Sequence, residues 1–215
     1  MSLYTLSHSD TLPALHEVQG LHIEESTDLT LLARMSNTPV SRIIDRLAND
    51  HAAFVAFVYG MPAAFGWMAR GKARIGELNH ELILPLRNRY LWNFRTAPAY
   101  RGQGIYPALL QYIVHHEREK GDQFWIIHAP ENKSSLKGIV KAGFRNVGKL
   151  YLDRELEVTL RPASVTGQEK RFIEELGFRI SVEQGASCWS CYSPFLKTRP
   201  ETCCCAETGS ICTAS

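Results

Sequence analysis

The first 187 residues of this 215-residue chain contain no cysteine; all six, Cys188, Cys191, Cys203, Cys204, Cys205 and Cys212, fall in the remaining tail. A secreted domain stapled by disulfides would distribute them through its fold, so the body must stand on packing alone. No run of about 18 apolar residues occurs, which excludes a helical membrane span. The start, Met1-Ser2-Leu3-Tyr4-Thr5-Leu6-Ser7-His8, has no basic segment leading into an apolar stretch, and so no signal-peptide pattern. Neither sign of charge dominates: the formal net charge is +2, with no basic stripe of the kind that tracks nucleic acid. A soluble, cytoplasmic protein is the expectation. What is present is apolar content, 45% of residues, enough for a sizeable core.

Residues 17–24 read as a short strand. Ser26-Thr27-Asp28 offers capping oxygens ahead of Leu29, Leu31, Leu32 and Met35, and Ile43, Ile44, Leu47 and Ala48 recur at helical spacing, which predicts two helices. The apolar runs 52–59 and 63–69 flank Gly60-Met61-Pro62 as a hairpin. Residues 76–88 fit either a strand or a loop. Tyr90 to Thr96 is a strand that Pro98 stops. Residues 106–120 carry the clearest helical stripe, Leu109, Leu110, Ile113 and Val114, with Pro107 in the first turn and Gly121 at the end. A strand over 124–127, a helix over 134–142 ended by Gly143, strands at 145–152 and 155–161, and a helix over 167–176 complete the reading. Alternating helices and strands of this order predict a mixed α/β sheet with helices on both faces. Lys141-Ala142-Gly143-Phe144-Arg145 and Glu175-Leu176-Gly177-Phe178-Arg179 read as two similar helix-to-strand exits rather than a repeat.

The chemistry concentrates where the strand ending at Thr96 gives way to Arg101-Gly102-Gln103-Gly104-Ile105-Tyr106. Glycines at 102 and 104 permit backbone angles other residues resist and a close approach of main chain to ligand. Successive N–H groups, about half a positive charge at the following helix start and the Arg101 cation together describe a diphosphate cradle. Asn132-Lys133-Ser134-Ser135, followed by Lys141-Ala142-Gly143-Phe144, adds an amide side chain that fits an amide-rich ligand or, in the plainer reading, a helix N-cap.

Arg101 to Tyr106 resembles the Gln/Arg-x-x-Gly-x-Gly/Ala signature of the GNAT superfamily of N-acetyltransferases, with Tyr106 where that family has Gly or Ala. Asn132 to Phe144 resembles its Asn…Gly-Phe segment. The resemblance covers residues 50–161, extending to 17. It implies a mixed, mostly antiparallel sheet with splayed central strands, here Tyr90–Thr96 and Gln123–His128. It also implies acetyl-CoA as cosubstrate, held by Arg101, Gly102, Gln103, Gly104, Ile105 and Tyr106 at the pyrophosphate, and by Asn132 and the backbones of Phe94 and Thr96 along the pantetheine. An amine would be the acceptor, and homodimers are common in the family. The tyrosine that many members place seven residues after the asparagine is Ile139 here, so the usual proton donor to the thiolate is missing; Tyr106, water or another residue would substitute. Base candidates are His128, Glu77, His80 and Glu81, each with a plainer reading as a satisfied or solvated side chain.

The division expected is residues 1–162 as the acyltransferase domain and 163–215 as a helix plus cysteine-rich tail. Cys188-Trp189-Ser190-Cys191 and the three cysteines from 203 are compatible with zinc, a redox pair, soft-metal capture, lipidation or incidental thiols, and no metal is assigned. The alternative to a catalyst is a CoA-binding sensor regulated by that tail.

Overall fold

The structure, a computed structural model, describes residues 1–129, 132–153, 155 and 157–182, without the side chain of Glu77. The six cysteines therefore lie outside the described residues.

Among these residues a nine-stranded sheet is built from β1 (Ser2–Ser7), β2 (Leu21–Glu25), β3 (His51–Val58), β4 (Met61–Ala69), β7 (Asn88–Thr96), β8 (Gln123–His128), β9 (Arg145–Leu152), β10 (Val158–Pro162) and β11 (Arg179–Ile180). The order is β11-β10-β9-β1-β8-β7-β4-β3-β2, and a separate hairpin pairs β5 (Lys72–Ile75) with β6 (His80–Ile83). All neighbours in the large sheet are antiparallel except β7 with β8 and β10 with β11. The expected mixed, mostly antiparallel sheet is present.

Five helices cover it: α1 (Leu29–Ser36), α2 (Val40–Ala48), α3 (Ile105–Glu117), α4 (Lys133–Lys141) and α5 (Gly167–Glu175). The Asp28 carboxylate accepts from the Leu31 N–H at 2.9 Å and so starts α1. Thr166 and Glu169 cap α5 reciprocally. On one face, Leu109, Leu110 and Ile113 of α3 pack with Ile139 of α4 and its C-cap residue Ala142 on Phe54, Leu91 and Phe124. On the other face α1 and α2 cover Ala53, Val55, Phe65 and Trp67, while the β5–β6 hairpin and α5 cover Tyr90, Trp125 and Leu150. Beyond Pro162 the sheet continues: β11 pairs with β10, and Ile173, Leu176 and Phe178 enter the same core as Leu3 and Leu160.

Three strands escape the sequence reading: β1, β5 and β11. The 17–24 strand is found as Leu21–Glu25, but the chain start forms β1, which sits between β8 and β9 in the middle of the sheet. The 76–88 stretch, open between strand and loop in the sequence, contains a 3-10 turn (Gly76–Leu78) and β6.

Candidate active site

β7 and β8 run parallel and pair only at Asn88↔Gln123, Arg89↔Phe124, Tyr90↔Trp125 and Leu91↔Ile126. From Trp92 onward β7 stays on β4 but has no ladder partner on β8. A bulge drives the separation. Phe65 opposes Arg95 and Trp67 opposes Trp92, so Asn93 and Phe94 share the single residue Gly66. Asn93 adopts a left-handed φ of 52° to make this possible. Gly66 is required because a Cβ there would overlap the Phe94 ring.

The parted strands enclose a cleft of about 390 Å³. Its walls are Tyr90–Phe94 of β7 and Ile126–Ala129 at the end of β8. Tyr106, Asn132 and Ser135 close one side, and Arg74, Ile75 and Gly76 the other.

The turn from Arg101 lies just past β7. Gly102 and Gly104 have φ of 78° and 82°, and a Cβ on Gly102 would point into open space. The turn is exposed through Gly104, and α3 begins there without a side-chain cap. Among the described residues the N–H groups of Gly102, Gln103, Gly104, Ile105 and Tyr106 have no partner in the chain, as an anion site requires. The Arg101 Nε donates to the Thr96 carbonyl at 3.2 Å, and the Gln103 amide to the Ala99 carbonyl at 3.1 Å; both fix the turn.

Tyr106 reaches across from α3 to α4. Its ring lies on Gly138, where a Cβ would overlap it, and 5.4 Å from the Phe94 ring. The Ser135 hydroxyl donates to its oxygen at 3.3 Å. Burial pushes the Tyr106 pKa up to about 12, with the Ser135 hydrogen bond opposing, so the phenol stays protonated. Ile139 is buried in the core beneath and offers the cleft no proton.

Asn132 does cap α4, its Oδ1 accepting from the Ser135 N–H and the Ser134 hydroxyl at 3.1 Å each. The His128 Nε2 donates to the Asn132 carbonyl at 2.8 Å; a carbonyl only accepts, so this nitrogen carries the proton. Of the base candidates, only His128 is brought to the cleft with its side chain described. Gly76 lines the cleft, but the side chain of its neighbour Glu77 lies outside the described residues. His80 stacks on Phe178 at 4.9 Å and contacts the Leu176 carbonyl, and Glu81 faces Lys72 at 3.6 Å; both stand away from the cleft. Sequence reasoning missed Asn93, Ser135 and Arg74. Gly138, a glycine inside a helix, was the readable sign of a close approach.

Behind Trp92, on the α2 side, the Arg46 guanidinium lies 5.0 Å from the Trp67 ring and 4.7 Å from the Trp92 ring. Arg46 Nη1, His51 Nδ1, Trp67 Nε1 and Trp92 Nε1 are buried without a hydrogen-bond partner. Each such group costs about 1–3 kcal/mol, so four together mark a wall left unfinished by the fold.

Structures of similar shape include an aminoglycoside acetyltransferase from an uncultured soil metagenomic sample in complex with sisomicin. It is 13% identical with a TM-score of 0.46, over 58% of this chain and 88% of that one. A GNAT-family acetyltransferase from Colwellia psychrerythraea is 18% identical, TM-score 0.47, over 67% of this chain; the match spans about half, 52%, of that longer protein. A predicted acetyltransferase with acetyl-CoA from Clostridium acetobutylicum is 17% identical, TM-score 0.42, over 58% and 90%. No curated protein matches the sequence. The family model for GNAT acetyltransferases matches residues 21–144. That segment is more than half of the chain and contains the parted strands and the turn between them, so this protein belongs to the GNAT acetyltransferase family and is an acyl-transferring enzyme.

Proposed function

We propose that this enzyme moves an acetyl group from acetyl-CoA to an amine by direct attack. The observation that carries the reading is the parting of β7 from β8 after Leu91 beside a turn whose five successive N–H groups lack partners. The pyrophosphate sits on the turn from Arg101 to Tyr106, supported by the α3 dipole. The pantetheine lies along the open edge of β7 and pairs with the backbones of Phe94 and Thr96, while the Asn132 amide nitrogen donates to it from the other side.

The thioester carbonyl then lies at the bulge, where a β7 main-chain N–H polarises it as an oxyanion donor. The amine nitrogen bonds to the carbonyl carbon and the C–S bond breaks. The amine's surplus proton leaves through the His128 ring or through Glu77. The thiolate leaves without a residue at 139 and takes its proton from water, with the protonated Tyr106 hydroxyl as a hydrogen-bond donor to the sulfur.

Acetyl-CoA at 100 times its Kd should stabilise the chain by about 2.7 kcal/mol, read as a rise in Tm, and amines should release free thiol. The absence of any shift with acetyl-CoA, propionyl-CoA or CoA would overturn the reading. Binding without thiol release across a broad amine panel would favour the sensor alternative. The bases separate by substitution: if His128 is the base, His128→Asn lowers kcat about 100-fold and removes the rising limb of the pH profile, whereas Glu77→Gln leaves both in place.

A further inference from the structure

A second pocket, of about 310 Å³, lies on the sheet face covered by α1 and α2. It is lined by Met35, Met61, Pro62 and Phe65 and by the exposed Arg34 and Arg95. Neither guanidinium has an ion pair or hydrogen bond among the described residues, and no carboxylate lines the pocket. Arg95 is two residues beyond the bulge residue Asn93, on the strand that also forms a wall of the acyl-transfer cleft.

The charge on this side extends past the pocket. Arg42 and Arg46 are one turn apart on α2, a repulsive spacing, and neither meets a carboxylate. Arg46 keeps one buried nitrogen unpaired behind the cleft wall. Framework arginines are treated differently: Arg70 and Arg89 share Glu117, Arg87 holds Asp122, and Arg145 holds Glu169. A group of cations left without anions around an apolar pocket is complementary to an anion from outside.

We propose that the acceptor is an amine that also carries a carboxylate, with the amine at the cleft and the carboxylate between Arg34 and Arg95. This rests on the acyl-transfer reading above and narrows its substrate class. The paired oxygens of a carboxylate match the guanidinium fork, and the carbon chain between the two ends covers Met35 and Phe65. The carboxylate takes no part in the chemistry: the N–C bond forms, the C–S bond breaks, the amine's surplus proton leaves through the base already named, and the thiolate takes a proton from water. A polycationic acceptor would bring like charges together and be disfavoured.

The test is thiol release by the full chain with acetyl-CoA and three probes of equal length: 6-aminohexanoate, hexylamine and 1,6-diaminohexane. Two amidated tripeptides, with glutamate or lysine after the first residue, are added. The acidic probe of each set should exceed its neutral or basic counterpart by about tenfold or more in kcat/KM, as a charge-assisted pair provides. Arg34→Gln and Arg95→Gln should each erase most of that preference. A better acidic peptide assigns the carboxylate to a polypeptide acceptor; better 6-aminohexanoate assigns it to a small molecule. Equal or reversed preference, or a preference that survives both substitutions, overturns the proposal. If no probe is acetylated, equilibrium titration replaces turnover, and failure of both acidic probes to bind more tightly than their counterparts overturns it equally. Calorimetry with acetyl-CoA keeps the readings apart: a chain that binds acetyl-CoA but ignores the carboxylate loses this proposal alone, while one that binds no acetyl-CoA loses acyl transfer itself.

Discussion

Glu117 shows how a single side chain is committed to the frame. It is fully buried near the end of α3, and its two oxygens take Arg70 Nη2 and Arg89 Nε at 2.7 Å each. Burial alone would raise its pKa; the hydrogen bonds and charges of Arg70 and Arg89 outweigh that and leave it below the ordinary carboxylate range. Because the folded pKa is the lower one, its stabilisation is present above the unfolded value, 4.5, and is lost as pH falls through the folded pKa. Glu117→Ala should cost about 3–5 kcal/mol in a urea melt by stranding two guanidiniums, and Glu117→Gln should flatten the acid limb of stability. Gly138 makes a sharper case. Glycine to alanine inside a helix ordinarily stabilises by about 0.5–1 kcal/mol, but here the added methyl meets the Tyr106 ring. Gly138→Ala should therefore destabilise, and adding Tyr106→Ala should reverse the sign, a coupling that a double-mutant cycle measures.

Among the elements, the turn after β7 was the most legible part of the chain, because glycines at 102 and 104 between a strand and a helix leave few other uses. Both adopt the left-handed backbone. Gly104→Ala strains that backbone by about 1–2 kcal/mol and should weaken acetyl-CoA binding about tenfold by calorimetry while α3 persists. The two similar exits after α4 and α5 were also readable. Gly143 bonds to the Val140 carbonyl and Phe144 to that of Ile139, and Gly177 and Phe178 repeat this on Glu174 and Ile173. β1 was not readable. It is buried on both faces, so no period-two alternation marks it. Its polar Thr5 is satisfied only by the distant Phe124 carbonyl and Gln123 side chain. The bulge at Asn93 was equally hidden, since it arises from the mismatch between β4 and β7 and not from either strand alone.

Taken whole, the molecule is two stretches of sheet sharing a short seam. One stretch runs from β2 to β7, the other from β8 to β11, and four ladder positions join them. The second stretch depends on the residues beyond Pro162. Ile173, Leu176 and Phe178 are buried there, and Arg145 pairs with Glu169 across to α5. A chain ending at residue 162 should lose about 5 kcal/mol or more, read as a large fall in Tm or failure to fold, because each of those three side chains contributes about 1.5–3 kcal/mol by burial. The sequence reading divides the chain at that residue because the resemblance it follows stops after Pro162.

The short seam has a consequence for the protein's lifetime. Besides those four rungs, α3 already ties the two stretches through a shared core, and a molecule from solution seated in the angle between them adds one more brace. Resistance to proteolysis should then rise and fall with the supply of that molecule, so that the enzyme's survival tracks the metabolic state that gives it work.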